Sequence, residues 1–227
     1  MQPYMLSPKI TTVLFDLDGT LLDTAPDLAF ALNTVLENNH HLPLPFETIR
    51  PAASHGTKGL LQVGFNITES DPDFPKLRDE FLEIYQQHLC DQTKLFPGIP
   101  AVLSYLVKNN LQWGIVTNKP AWLTDPLLTQ LNLPIKPICV VSGDTVSNRK
   151  PHPEPMLHAC KLIPCNAGQC VYIGDAERDI QAGKNTNMHT LVALYGYIGK
   201  NDHPETWGAD AMIQQPEEII GWLEGMK

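Results

Sequence analysis

The sequence predicts an α/β fold, a doubly wound and mostly parallel sheet with a small helical unit inserted after its first strand. Three observations predict it. Near-continuous apolar runs recur along the chain, as strands covered on both faces require. Amphipathic stretches alternate with those runs, which implies right-handed crossovers and helices on both sides of the sheet. One long interval, residues 24–93, breaks the rhythm with helical periodicity and no strand, and is too long for an ordinary crossover.

Residues 11–15 read as the first buried strand. After it, Thr24-Ala25-Pro26 looks like a helix cap followed by proline in the first turn, and Leu28, Leu32, Val35 and Leu36 then fall at helical spacing. Leu77, Phe81, Ile84 and Tyr85 repeat that spacing in a second helix. Residues 71–75, with two prolines, form a connector, and the polar segment around His55, Thr57 and Lys58 reads as a solvated loop. Strand-like runs resume at residues 112–116, 137–141, 170–173, 189–193 and 211–213. Helical patterns cover 101–109, 122–131, 154–163 and 179–186.

Composition narrows the function. The 227-residue chain carries 16 basic and 25 acidic side chains, a formal charge of −9. An acidic surface of this kind disfavours nonspecific nucleic-acid binding and docking on anionic lipid, but a bound metal can still draw in a small anion. No stretch reaches the length of a membrane span, and Met1 to Ile10 lacks an apolar signal region. A cytoplasmic location is therefore expected. The five cysteines include no CxxC pair. Cys160, Cys165 and Cys170 are evenly spaced without a tight ligand pair, so they read as incidental thiols in a reducing compartment, not as a zinc site.

Four short segments carry chemistry. Asp16 and Asp18, in Asp16-Leu17-Asp18-Gly19-Thr20, are two apart just beyond the first strand, so they project together at its C-terminal edge. That is where open α/β sheets bind ligands. Adjacent carboxylates repel unless a cation intervenes, which points to a hard metal such as Mg²⁺. Thr117 and Asn118 follow the 112–116 strand and precede a helix, an arrangement suited to cradling phosphate. Lys150 stands in a proline-rich loop that could aim it. Asp175 follows the 170–173 strand at the same edge as Asp16, with Asp179 one helical turn later. Independent turns would not be expected to supply two carboxylates, a cradle, a cation and a further carboxylate pair along one sheet edge.

The order DxDGT, Thr, Lys, GDxxxD resembles the haloacid dehalogenase-like superfamily over essentially the whole chain. The likeness implies a Rossmann-like α/β hydrolase core, residues 1–22 and 94–227, with a helical cap at 23–93. It also implies a cytoplasmic phosphoric monoester hydrolase using Mg²⁺. Asp16 would be the nucleophile and Asp18 the general acid and base, with Lys150 neutralising the phosphoryl group. Asp16, the Asp18 backbone carbonyl and Asp175 would hold the metal, and Thr117 and Asn118 would bind phosphate. Asp179 would orient Lys150 or a metal-bound water, and the cap residues His55 and Lys58 would reach toward the substrate. More narrowly the chain is similar to the phosphoglycolate phosphatase-like group. Trp113-Gly114-Ile115-Val116-Thr117-Asn118-Lys119-Pro120, Tyr195-Gly196-Tyr197-Ile198 and Trp207-Gly208-Ala209-Asp210 resemble the branch acting on N-acetylmuramic acid 6-phosphate. The cap segment at residues 50–56 departs from both patterns, which leaves the small phosphorylated substrate open between them. A sugar-phosphate mutase shares the same core and cap. The resemblance accommodates a monomer or a homodimer.

Overall fold

The computed structural model describes residues 9–226. Met1–Pro8, most of the N-terminal stretch read above, and Lys227 lie outside the described residues. Six strands form one parallel sheet: β1 (Thr12–Phe15), β4 (Gln112–Val116), β5 (Cys139–Val141), β6 (Cys170–Gly174), β7 (His189–Ala193) and β8 (Ala211–Ile213). Their order is β5-β4-β1-β6-β7-β8, so β1 is central and pairs in parallel with both β4 and β6. The chain runs outward from β1 on one side and then returns to its other side. This reversal opens a crevice at the C-terminal ends of β1, β4 and β6.

Strand residues alternate between two apolar layers. Val13, Phe15, Ile115, Val171 and Ile173 join one cluster, which also takes in Val102 and Leu103 of α5 (Ile99–Lys108) and Ile219 of α9 (Glu218–Gly225). Leu14, Val116 and Tyr172 face the other way, onto Met156 and Ala159 of α7 (Glu154–Leu162) and Ala182 of α8 (Glu177–Lys184). Each fully buried aliphatic side chain contributes about 1.5–3 kcal/mol of burial free energy, so both faces must be covered and the strands read as unbroken apolar runs. The sheet is of the doubly wound class that the alternating pattern predicts.

A second, two-stranded ribbon pairs β2 (Leu22–Asp23) with β3 (Lys94–Leu95) in antiparallel fashion. Between its strands lie α1 (Ala25–Asn38), α2 (Phe46–Ile49), a 3₁₀ turn (Arg50–His55), α3 (Gly56–Phe65) and α4 (Phe74–Gln87). Asp27 of α1 is buried and ties the two ends together. Its carboxylate accepts from the Gln92 and Thr93 amides and from the Thr93 hydroxyl.

Several local expectations need correction. Residues 57 and 58 lie on α3, not in a loop, because Leu60 and Leu61 bury one side of that segment despite its three glycines. Thr24 sits at the N-cap of α1, yet its hydroxyl does not cap the helix. Tyr197 Oη instead accepts from the Thr24 and Ala25 amides at 2.6 and 2.8 Å. α8 begins two residues earlier than its apolar pattern suggests, because the Asp179 carboxylate accepts the Ala176 N–H.

Candidate active site

The sheet brings the four sequence segments to one edge. Asp16 directly follows central β1 and is 3% exposed; its amide donates to Ile173 O of the neighbouring strand at 2.8 Å. Asp16 Oδ1 accepts from the Leu17 amide at 2.8 Å and pairs with Lys150 Nζ at 2.8 Å. Both contacts fall on one oxygen, so Oδ2 is the atom left for chemistry.

Asp18 emerges on the same side, beyond buried Leu17. Its Oδ1 accepts from the Thr24 hydroxyl at 2.7 Å and from Lys119 Nζ at 3.0 Å. Lys119 also donates to Tyr85 Oη of α4 at 2.8 Å. Burial alone would lower the Lys119 ammonium, but the Asp18 carboxylate and Tyr85 outweigh that and raise it, so it stays charged. Gly19 has φ of +83°, and a Cβ there would stand 2.1 Å from Asp175 Oδ2. Only glycine lets the first loop pass this close to the third carboxylate.

Thr117 is buried after β4, and its hydroxyl accepts the Lys119 N–H at 3.1 Å. The hydroxyl proton therefore remains available to a ligand oxygen. The helix that follows, α6 (Ala121–Leu131), contributes less to a cradle than the sequence suggests, because its first N–H donates to Asp144 at 2.8 Å. The Asn118 carboxamide accepts the Lys150 N–H and donates to Lys150 O, at 3.0 and 3.1 Å, so this side chain fixes the lysine loop.

Lys150 has a side chain 0% exposed. Its ammonium lies 2.8 Å from both Asp16 Oδ1 and Asp179 Oδ1, 2.7 Å from Tyr172 Oη and 3.0 Å from Val116 O. Three protons face four acceptors, which holds the charge at the centre of the group. Asp175 follows β6. Its Oδ2 accepts from Ser54 Oγ at 2.6 Å and the Tyr197 amide at 2.8 Å. Asp175 Oδ1 is buried without a hydrogen-bond donor among the described residues.

That orphaned oxygen bears on whether a metal fits the site. Asp16, Asp175 and Asp179 offer carboxylate oxygens within 4.8 Å of one another, all buried. Nearby Lys150 and Arg178 supply two positive charges against three negative ones. An all-oxygen donor set with surplus negative charge and an unsatisfied carboxylate oxygen suits a hard divalent cation. Without one, burial pushes Asp16 up to about 6 despite Lys150. Burial, followed by the charges of Asp16 and Asp179, pushes Asp175 up to about 7.

These shifts set the sign of a measurable effect. Both carboxyls bind protons more tightly in the folded chain than at their ordinary value of 3.8. Metal-free protein should therefore lose stability as pH rises from about 4 to about 7, and a divalent cation should offset that loss. Thermal melts with and without cation check this. A cation-induced rise in Tm no larger near pH 7 than near pH 4.5 would contradict it.

The cap-side expectations split. His55 and Lys58 both line a cavity of about 1120 Å³ that also receives Asp16, Asp18 and Thr117. Burial, and then the charge of Arg178, hold the His55 imidazole below its ordinary value. Lys58 is exposed and ion-paired with Glu69, so it reaches the cavity only at its outer wall. Three further residues belong to the site. Lys119 holds Asp18; Arg178 donates to Ser54 O at 2.6 Å; and Ser54 binds Asp175. Lys119 lies two residues past Thr117, and Arg178 lies between Asp175 and Asp179, so both stood inside segments already singled out. Ser54 had no sequence signal of its own.

The comparisons agree with this geometry. The family profile described as haloacid dehalogenase-like hydrolase matches residues 13–193. An N-acetylmuramic acid 6-phosphate phosphatase of Pseudomonas aeruginosa is 36% identical over 217 residues, 95% of this chain and 96% of that one. A phosphoglycolate phosphatase of Xanthomonas campestris is 40% identical over 207 residues, 91% of this chain and 93% of its own. Among solved structures, a predicted phosphoglycolate phosphatase of Haemophilus somnus superposes with a TM-score of 0.82 at 24% identity, covering 94% of this chain and 97% of that one, a likeness of fold. No helix among the described residues is long and apolar enough to cross a membrane. With its motifs at one sheet edge and relatives matched along nearly its full length, the chain belongs to the haloacid dehalogenase-like hydrolase family and is phosphoglycolate phosphatase-like within it.

Proposed function

We propose that the chain is a Mg²⁺-dependent phosphomonoesterase acting through an aspartyl-phosphate on Asp16, with residues 23–93 serving as a cap over the core. One observation carries this reading. Asp16 lies buried beside Lys150, at the floor of a cavity shared by core residues and by Ala53, His55 and Phe81 of the helical insertion. A divalent cation held by Asp16, Asp175 and the Asp18 backbone carbonyl would supply positive charge against the phosphoryl oxygens.

The chain's own residues account for the rest. Asp16 Oδ2 attacks phosphorus as the bond to the leaving alcohol breaks, and Asp18 gives that alcohol its proton. Asp18 then takes a proton from the water that cleaves the acyl phosphate, which regenerates Asp16. Thr117 donates to a phosphoryl oxygen, and Lys150 offsets its charge. Lys119 and Thr24 fix Asp18 through Oδ1, so Oδ2 is the oxygen that exchanges the proton. A carboxylate meeting a phosphate dianion at 4 Å faces on the order of 8 kcal/mol of repulsion at an effective dielectric of 20. That repulsion explains why Lys150 is placed so near the nucleophile.

The cavity volume bears on the substrate. About 1120 Å³ exceeds the space a two-carbon phosphoglycolate fills and admits a phosphorylated amino sugar, the kind of substrate named for the Pseudomonas relative. Phosphate release from a panel containing both compounds tests this. Preference for the amino sugar phosphate is expected. Equal or greater turnover of phosphoglycolate would reverse the order, and isomerisation of a hexose phosphate without phosphate release would identify a mutase.

Asp18→Asn separates the two halves of the cycle. With an alkyl phosphate, which needs its leaving oxygen protonated, the rate should fall about 10²–10⁴-fold. With p-nitrophenyl phosphate, whose leaving group needs no acid, one burst of nitrophenol should appear and phosphoenzyme should accumulate. An unchanged alkyl-phosphate rate would remove Asp18 from proton transfer.

A further inference from the structure

The sheet edge opposite the active site carries a second cluster of reactive side chains. Cys160 lies in α7, Cys165 in the connection after it, and Cys170 opens β6. Their sulfurs come within 4.8 Å of one another. Cys165 Sγ and Cys170 Sγ are 3.3 Å apart, and all three are free thiols. Their even spacing includes no tight ligand pair, which is why the sequence reads them as incidental. The fold brings the three together. α7 ends at Leu162, the chain doubles back with the Cys165 amide on Cys160 O at 3.3 Å, and a 3₁₀ turn (Ala167–Gln169) leads into β6.

The surroundings are as specific as the sulfurs. Cys170 is buried in an apolar layer with Leu14, Val116 and Ile163 that also holds the thioethers of Met156 and Met188, and Cys160 and Cys165 pack against that layer from the half-exposed side. No carboxylate or imidazole joins the group among the described residues.

We propose that Cys160, Cys165 and Cys170 form a binding site for a soft, thiophilic cation, of which Cu(I) is the representative. Thiolate and thioether surroundings select soft d¹⁰ ions over Mg²⁺ or Ca²⁺. Three sulfurs joined, among the described residues, by no fourth thiol, imidazole or carboxylate suit a three-coordinate monovalent ion better than structural Zn²⁺, which takes four ligands. Binding exchanges thiol protons for the cation and moves no electrons. The site is remote from phosphate chemistry: Cys170 begins the strand whose far end leads to Asp175.

The test titrates the reduced full chain with Cu(I), without oxygen, against bathocuproine disulfonate as a coloured competitor. The expected result is uptake of one equivalent. Bound Cu(I) should also shield the half-exposed Cys160 and Cys165 from iodoacetamide while Cys90 stays reactive, a readout on unmutated protein that needs no variant to fold. Cys165→Ser should weaken binding at least about tenfold, and Cys90→Ser should leave it unchanged. Phosphomonoesterase activity of Cys165→Ser should match wild type. Failure to compete with the chelator, full uptake by Cys165→Ser, or equal alkylation of Cys160 and Cys165 with and without Cu(I) would each overturn the proposal. So would formation of a Cys165–Cys170 disulfide in air by a protein that takes up no Cu(I).

Discussion

Asp16→Asn should abolish turnover while leaving the protein folded and, without metal, more stable than the wild type. The two effects have one origin. Asp16 sits at the end of the central strand with 3% of its surface exposed, and burial raises its carboxyl to about 6. Replacing it by the isosteric amide removes a buried charge that the folded chain tolerates only through Lys150. The same change replaces the anionic carboxylate oxygen that would form the acyl phosphate by an NH₂ whose electron pair is delocalised into the carbonyl. Loss of a covalent nucleophile costs on the order of 10⁴-fold or more, because transition-state stabilisation by the rest of the site cannot replace the missing bond. Phosphate release, urea denaturation of metal-free protein and a radiolabelled phosphoenzyme trap together check the prediction. A variant that still hydrolyses phosphomonoesters at more than about a hundredth of the wild-type rate would mean that water, not Asp16, attacks phosphorus.

The residues legible in the sequence share a physical property: each is fixed by where a strand ends. Asp16, Thr117 and Asp175 immediately follow apolar runs, so a parallel sheet must deliver them to one edge whatever the intervening loops do. Lys150 was legible only through its proline-rich setting, and the sequence could not show that Asn118 would hold its backbone from both sides. Contacts across the helical insertion were not legible at all. Ser54 on Asp175, Arg178 on Ser54 O, and Arg50 on the carbonyls of Tyr195 and Gly196 join residues more than 100 positions apart. No periodicity encodes such pairings, because they depend on how the inserted helices settle on the sheet. The same reason hid the thiol cluster, whose members meet only because α7 stops and the chain turns back. α3 was obscured differently, since Gly56, Gly59 and Gly64 dilute a helical pattern that tertiary burial of Leu60 and Leu61 restores.

Lys150→Met should have the second-largest effect, and here stability and activity should fall together. The ammonium is the shared partner of Asp16 and Asp179, both at 2.8 Å. Methionine keeps the aliphatic stem and removes the charge, which leaves two buried carboxylates facing each other with an additional neighbour in Asp175. Breaking a buried pair from one side costs about 3–5 kcal/mol, since the stranded charges keep their desolvation penalty and lose their compensation. Turnover should drop about 10²–10³-fold or more, because positive charge positioned against the transferring phosphoryl group is lost. The Asp179→Asn background distinguishes these two consequences. Adding Asp179→Asn to Lys150→Met removes one stranded carboxylate and should recover part of the stability without restoring hydrolysis, a non-additivity that a double-mutant cycle measures. Lys150→Arg should rescue neither property fully, because a planar guanidinium does not fit a niche where a compact ammonium contacts Val116 O, Tyr172 Oη and two carboxylates at once. If Lys150→Met melts at the wild-type temperature and the two substitutions add independently, the lysine is not the cation that lets these carboxylates share the interior.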